Sequence, residues 1–213
     1  MPEHRSVLDP RRWQALWHRL GARGTSSPTF NRLRDAYAEP GRYYHTAVHI
    51  GECLGLLDQS RSLARRPDEI EAAIWFHDAV YRPGSSANED ESAALASETL
   101  SSGGVPLELA SRVAGLVLAT CHLAAPADPD ARLLCDIDLS ILGREPSRFA
   151  QFEEQIRREY EHVPEPLYAR ARAEVLAAFL ARPAIYQTEL FRDRYEASAR
   201  ANLSGVIMKL RGS

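Results

Sequence analysis

Residues 70–78 read IEAAIWFHD, an apolar run that ends in an adjacent histidine and aspartate. Its apolar residues recur at helical spacing and predict an apolar helix. The helix ends on His77 and Asp78, two ionisable groups whose burial is costly unless they have partners. Metal coordination would provide those partners. A helix cap or an isolated hydrogen bond between the two side chains is the simpler alternative.

A pair of histidines precedes this stretch. Residues 44–49 read YHTAVH, which places His45 and His49 four positions apart. On a helix this spacing brings two imidazoles to one face, with Cβ atoms about 5–6 Å apart, and so favours a metal site. Two surface or capping histidines would give the same pattern by chance. Thr46 stands where a zinc protease of the HExxH type needs glutamate, so that class is excluded.

A pair of aspartates follows much later in the chain. Residues 135–140 read CDIDLS, which embeds Asp136 and Asp138 in an otherwise apolar segment. Isolated anions are unfavourable in such surroundings. We therefore expect at least one of the two carboxylates to meet a cation.

The rest of the chain predicts helices joined by short loops. Asp9 followed by Pro10 is typical of a helix start and opens a helix to about Leu20. Asn88 and Glu91 suggest a variant capping box at the start of another helix. No internal repeat or alternating strand pattern is present. The sequence therefore predicts an all-α, single-domain helical bundle over residues 1–213, with the helix at about 10–20 packed on a motif-bearing region at about 42–203.

Composition excludes several classes of protein. The chain has 213 residues, 45% hydrophobic and 26% charged, with a net charge of −3. No global positive field therefore attracts nucleic acid or anionic lipid, and no apolar stretch approaches the roughly 20 residues of a membrane span. The charged N-terminus has no signal-peptide core, which favours a cytoplasmic location. Cys53, Cys121 and Cys135 match no zinc spacing and are expected to be buried thiols.

The ordered motifs HxxxH, HD and DxDLS resemble the HD superfamily of metal-dependent phosphohydrolases. The chain is most similar to a bacterial group of predicted HD-type phosphohydrolases, through the blocks RYYHTAVHI, WFHDAVY, NEDESA, CDIDLSILG, RREY and RYEASARANL. This resemblance implies a helical domain of the HD or phosphodiesterase-like type. It also implies the metal ligands His49, His77, Asp78 and Asp138, with Asp138 preferred to Asp136 because it directly precedes Leu-Ser.

The YHxxxH element also resembles that of cyclic-nucleotide phosphodiesterases, which implies that His45 is a general acid. The purine-binding glutamine of those enzymes cannot be located here, so specificity for cyclic nucleotides is not implied. Two imidazoles and two carboxylates suit Mn, Fe, Co, Ni or Zn and do not exclude Mg. One or two divalent ions are expected.

Four further residues are candidates with simpler alternatives. Glu89 could orient a water molecule, or it could only stabilise the start of a helix. His122 could bind substrate phosphate or a second metal, or it could simply be favoured near a helix end. Arg42 could bind a phosphate in a bidentate manner or form a surface salt bridge. Arg158 could reach the substrate or lie on a solvated helix face.

These expectations combine into one predicted function. The pKa of a water molecule bound to such a metal can fall from 15.7 toward about 7, which makes hydroxide available to attack phosphorus at neutral pH. We expect hydrolysis of a phosphomonoester or phosphodiester, in a nucleotide or a related small molecule, by a monomer or homodimer. A regulatory nucleotide-binding module with weak turnover and an iron-dependent HD-type oxygenase are the alternatives.

Overall fold

The structure is a computed structural model, and it describes residues 8–212. Helices and their connections account for this part of the chain, with no β-strand in it, so the predicted all-α fold is confirmed. The α-helices are α1 (Pro10–Arg19), α2 (Ser27–Ala36), α3 (Ala47–Ser60), α4 (Pro67–Phe76), α5 (Asn88–Ser102), α6 (Leu107–Ala119), α7 (Pro129–Asp138), α8 (Pro146–Glu159), α9 (Glu165–Leu180), α10 (Glu189–Phe191) and α11 (Ala197–Gly212). None of the helices in the described range is long and apolar enough for a bilayer span.

The chain divides into two compact units. The first lies within Met1–Leu134 and the second within Cys135–Ser213. The division falls within the residues of α7. The first unit holds the two histidine motifs, and the prediction of one domain over residues 1–213 stays a prediction.

The first helix begins and packs as the sequence predicts. The Asp9 carboxylate accepts a hydrogen bond from the Arg11 N–H at 2.9 Å, and Pro10 occupies the first turn. Trp13 is fully buried and meets the ring of Trp75 edge-on, with ring centroids 5.3 Å apart. It meets Phe76 at 5.9 Å. This aromatic cluster packs α1 against α4.

Helix α4 lies at the centre of the first unit. Every residue from Glu69 to Phe76 is buried, as expected for a helix that is enclosed on all sides. The two glutamates in this stretch are ion-paired: Glu69 with Arg112, and Glu71 with three arginines described below. These pairs allow a helix with buried acids to present His77 and Asp78 at its far end.

Two predictions about local structure were wrong. Asn88 and Glu91 do not form a capping box, because α5 begins without a side-chain cap and both side chains contact Arg82 instead. Asn88 accepts a hydrogen bond from the Arg82 N–H and donates one to the Arg82 carbonyl, each at 3.0 Å. Cys121 is exposed, while Cys53 and Cys135 are buried. It is exposed because α6 ends at Ala119 and the chain then leaves the core.

The second unit is built on α8, α9 and α11. Its core includes Phe149, Phe152, Leu176 and Leu203. A 3-10 turn at Leu139–Gly143 follows α7, and a π-helical turn at Arg192–Glu196 precedes α11. The side-chain amide of Asn202 donates to two carbonyl oxygens at the end of the 3-10 turn, at 2.9 Å each. This part of the chain thereby fixes the segment that follows Asp138.

Candidate metal centre

His49 lies in the first turn of α3, and His45 lies outside that helix. Helix α3 begins at Ala47, and the Thr46 hydroxyl caps it by accepting a hydrogen bond from the Val48 N–H. The prediction that His45 and His49 share one helix face is therefore wrong, because the cap at Thr46 starts the helix after His45. The two rings are nevertheless neighbours, with centroids 6.2 Å apart.

His77 and Asp78 lie at the C-terminal end of α4, as the sequence predicts. The His77 N–H still bonds to the Ala73 carbonyl, so the last turn of the helix carries the imidazole. The His77 ring nitrogen Nδ1 lies 3.0 Å from the Ile74 carbonyl oxygen. A carbonyl only accepts, so Nδ1 carries the hydrogen and donates it. Nε2 is then the nitrogen available to a metal.

Three potential ligand atoms meet at this point. His49 Nε2 lies 3.1 Å from His77 Nε2. Asp78 Oδ2 lies 3.0 Å from His77 Nε2 and 3.5 Å from His49 Nε2. Metal bonds of about 2.0–2.2 Å in tetrahedral or octahedral geometry separate neighbouring ligands by about 2.8–3.6 Å. All three distances fall in this range, so these residues fit a divalent transition metal.

Asp138 is a further potential ligand. It is the last residue of α7, and its carboxylate is grouped with His49 and His77, with the ligand atoms within 4.8 Å of one another. The three residues could hold a metal ion. Asp136 has different partners, because its carboxylate accepts hydrogen bonds from Gln187 and Thr188. The structure thus groups Asp138, and not Asp136, with the histidines.

The surroundings of Asp78 favour its ionised form. Burial acts to raise the pKa of this carboxyl, but the imidazoles of His77, His45 and His49 lower the pKa below its ordinary value. The side chain is 19% exposed, so solvent reaches it. A carboxyl must be deprotonated to bind a metal, and at neutral pH this one is.

Aromatic rings enclose the two histidines of the YHTAVH motif. Tyr81 stacks on His45, with ring centroids 4.0 Å apart and planes 27° apart. Tyr44 is buried and lies 5.0 Å from the His45 ring and 4.8 Å from the His49 ring. These contacts orient both imidazoles.

Arg42 is buried beneath the site. Its guanidinium donates to the carbonyl oxygens of Asp78 at 2.6 Å and Ala79 at 3.1 Å, and to the Glu39 carboxylate. Arg42 does form a salt bridge, with the exposed Glu39, although the Arg42 side chain itself is only 3% exposed. The predicted contact with phosphate stays a prediction, and it would require one of these acceptors to be displaced.

Three other candidates are not members of the group formed by His49, His77 and Asp138. Glu89 is half-buried in the first turn of α5. His122 is half-buried after α6, with a φ of 55° that places its backbone in the left-handed region. Arg158 is exposed on α8 in the second unit. Their proposed roles in catalysis or substrate binding stay predictions.

Sequence reasoning missed several residues around the site. The Tyr37 hydroxyl donates to the Trp75 carbonyl at 2.9 Å, and burial raises the pKa of Tyr37 well above its ordinary value. Cys53 lies beneath His49, with its sulfur 3.8 Å from both ring nitrogens. The i,i+4 spacing from His49 could have indicated Cys53. Tyr37 gave no such signal, because it comes from a separate helix end.

The chain was compared with known protein families, curated proteins and solved structures. No family model, curated protein or solved structure matches the chain. The function is therefore argued from the residues and their geometry, namely two histidines, Asp78 and the carboxylate of Asp138.

Proposed function

We propose that the protein is a metal-dependent phosphohydrolase that acts on a phosphomonoester or phosphodiester, in a nucleotide or a related small molecule. The observation that carries the proposal is the meeting of His49 Nε2, His77 Nε2 and Asp78 Oδ2 at separations of 3.0–3.5 Å. His49 Nε2 can donate a hydrogen to only one of its two neighbours, His77 Nε2 or Asp78 Oδ2. A cation at this point would instead bind all three atoms as ligands.

The donor set suggests the kind of metal. Imidazole nitrogens and carboxylate oxygens together suit Mn, Fe, Co, Ni or Zn and leave Mg open. His49, His77, Asp78 and Asp138 would hold one ion. A bound divalent metal supplies a water molecule whose pKa is lowered toward about 7.

His45 is proposed to protonate the leaving oxygen. Its ring is half-buried beside His49 and is held by the stack with Tyr81. A positioned imidazole can donate a proton near neutral pH, and general acid catalysis of this kind contributes about 10²–10⁴-fold. The resemblance of the ordered motifs to HD phosphohydrolases supports phosphoester hydrolysis over other reactions at such a site.

The test begins with elemental analysis of the purified protein, followed by phosphate release from a panel of nucleotides and phosphomonoesters. We expect one or two metal ions per chain, and release that is lost on chelation. Asp78→Asn should remove both the metal and the activity. Asp35→Asn is the matched control, because Asp35 is 68% exposed and pairs only with its neighbour Arg34 among the contacts described.

Other outcomes would overturn the proposal. Full turnover by metal-stripped protein would exclude a metal-activated water molecule. Tight nucleotide binding without any product would favour the regulatory module. Oxygen consumption by an iron-loaded protein would favour the oxygenase.

A further inference from the structure

The charge of Arg42 is enclosed by the protein. Its side chain is 3% exposed, and a buried cation is costly unless it is paired and hydrogen-bonded. The Glu39 carboxylate accepts from Arg42 Nε at 3.1 Å and from Nη2 at 2.9 Å. Glu39 itself is 55% exposed, so the pair sits at the edge of the core.

The remaining donors of Arg42 bind backbone carbonyls from two separate turns. Nη1 donates to Asp78 at 2.6 Å and to His45 at 3.4 Å, and Nη2 donates to Ala79 at 3.1 Å. A guanidinium has five N–H donors, and each of them has an acceptor here. One side chain thereby ties the turn before α3 to the turn after α4.

Aromatic rings extend this connection to the His45 side chain. The Arg42 guanidinium carbon lies 5.6 Å from the ring centroids of both Tyr37 and Tyr81. These are distances at which a cation is attracted to a ring face. Tyr81 in turn stacks on His45 at 4.0 Å. Arg42 thus contacts the His45 backbone directly and its ring through Tyr81.

We infer that Arg42 is a positioning residue that fixes the backbone of Asp78 relative to that of His45. Tyr81, which contacts both the Arg42 guanidinium and the His45 ring, fixes the orientation of the His45 imidazole. The inference rests on the proposed function in that it assigns Asp78 to the metal and His45 to proton transfer. Lysine at this position would keep the charge and lose the planar fork that reaches both turns. A shift of about 1 Å in a catalytic group can cost about 10²-fold in rate.

The first experiment uses Co²⁺ alone as the probe. Arg42→Lys should bind Co²⁺ about 10–100-fold more weakly than the wild type, the usual loss when a residue supporting metal ligands is changed. Its visible absorption spectrum should also change, because the Asp78 carboxylate moves relative to the two imidazoles. Neither measurement requires turnover, so a failed search for a substrate leaves this test intact.

Arg200→Lys is the matched control. Arg200 in the second unit also donates to three backbone carbonyls, those of Leu180, Arg182 and Pro183, and to the carboxylate of Glu196. Its replacement removes the same kind of fork and should lower the Tm, with Co²⁺ affinity within about twofold of the wild type. If Arg42→Lys lowers only the Tm, as this control does, Arg42 is merely structural and the inference is overturned.

Tyr81 gives an independent test should Arg42→Lys fail to fold. Tyr81→Phe keeps the ring on His45, and Tyr81→Leu removes it. We expect the ring-current shift of the His45 imidazole protons in NMR spectra to persist in the first variant and to decrease in the second, in which the Tyr44 and His49 rings remain. With a substrate in hand, Tyr81→Leu should lower kcat about 10–100-fold with KM and Co²⁺ affinity unchanged. An unchanged kcat or an unchanged His45 spectrum in Tyr81→Leu would contradict the assigned role.

Discussion

Thr188 donates two hydrogen bonds to Asp136, one from its backbone N–H and one from its hydroxyl, both at 2.7 Å. The Gln187 N–H gives the same carboxylate a third bond, also at 2.7 Å. Burial raises the pKa of Asp136, and these bonds act in the opposite direction. The carboxylate thus fixes the segment before α10, whereas Asp138, two residues later, is grouped with His49 and His77.

Because Asp136 and Asp138 have different partners, the same substitution at each should affect different properties, namely stability at Asp136 and metal content at Asp138. Asp136→Asn should lower the free energy of unfolding by about 1–3 kcal/mol, because an amide NH₂ would replace an acceptor that faces backbone donors. Its metal content should stay at the wild-type level. Asp138→Asn should lose metal, and its metal-free form should lose less stability than Asp136→Asn does. Urea unfolding and elemental analysis measure both quantities, and the reverse pattern would reassign the ligand to Asp136.

The ion-pair network around Glu71 should be important for stability. Arg12 and Arg19 each lie 2.8 Å from the Glu71 carboxylate, and Arg61 lies 3.3 Å from it. Glu71 is 2% exposed, and the arginines are 25–39% exposed. Glu71→Gln would leave a concentration of positive charge beside α4. We expect a loss of about 2–3 kcal/mol in the free energy of unfolding, at or below the lower end for breaking a fully buried pair, because solvent reaches the arginines.

Glu174→Gln is the control for this prediction. Glu174 pairs with Arg170 four residues earlier, and both side chains are largely exposed. Exposed pairs of this kind contribute less than about 1 kcal/mol. Chemical denaturation of the two variants should therefore give clearly different midpoints. Equal midpoints would show that the Glu71 network contributes no more than a surface pair.

A close backbone approach in the second unit predicts a site intolerant of alanine. A Cβ atom on Gly143 would lie 2.5 Å from the Tyr195 Cβ and 2.6 Å from the Tyr195 carbonyl oxygen. These atoms cannot move aside as a flexible side-chain end can. Gly143→Ala should therefore lower the free energy of unfolding by about 1–3 kcal/mol. The variant's Tm should fall accordingly.

Gly205→Ala should have the opposite effect. Gly205 lies inside α11, and a Cβ there meets no atom within 4 Å in the described structure. Alanine in a helix interior is favoured over glycine by about 0.5–1 kcal/mol. A calorimetric Tm above that of the wild type is the expected result. A lower Tm for both variants would mean that Gly143 is not special in its contacts with Tyr195.

Metal removal should destabilise the wild type and leave a ligand variant unaffected. A metal at 100 times its Kd stabilises the folded state by about 2.7 kcal/mol. Adding a chelator should therefore lower the Tm of the wild type, whereas His77→Asn should show no response to chelator. His18→Asn is the control, because His18 is exposed on α1 and should leave the wild-type response in place. A chelator response that survives in His77→Asn would place the metal elsewhere.

The local parts of this structure could be predicted from the sequence. Asp9 and Pro10 marked the start of α1, and apolar periodicity located α4. The adjacent His77 and Asp78 stood out because two ionisable groups ended an apolar stretch. Each of these signals lies within a few residues of the feature it predicts.

Other features depend on contacts between distant segments, which periodicity does not report. Glu71 looked like any helical glutamate, but its arginines come from positions 10 to 59 residues away. Arg42 looked like a surface residue because nothing near it in the sequence shows that Asp78 and Ala79 pack against it. The start of α3 was predicted wrongly for a local reason. The HxxxH spacing suggested a helix that includes His45, but the Thr46 hydroxyl caps the helix and so starts it after His45.

Helix α4 ends at Phe76, immediately before the histidine and aspartate that could bind metal. The aligned peptide dipoles of a helix concentrate partial negative charge at its C-terminus, where a cation is favoured by about 0.3–2 kcal/mol. An ion held by His77 and Asp78 would therefore act as an electrostatic cap on the helix that carries its own ligands. Capture of the ion and folding of the last turn of α4 then reinforce each other, and fraying would begin at that turn when the ion leaves.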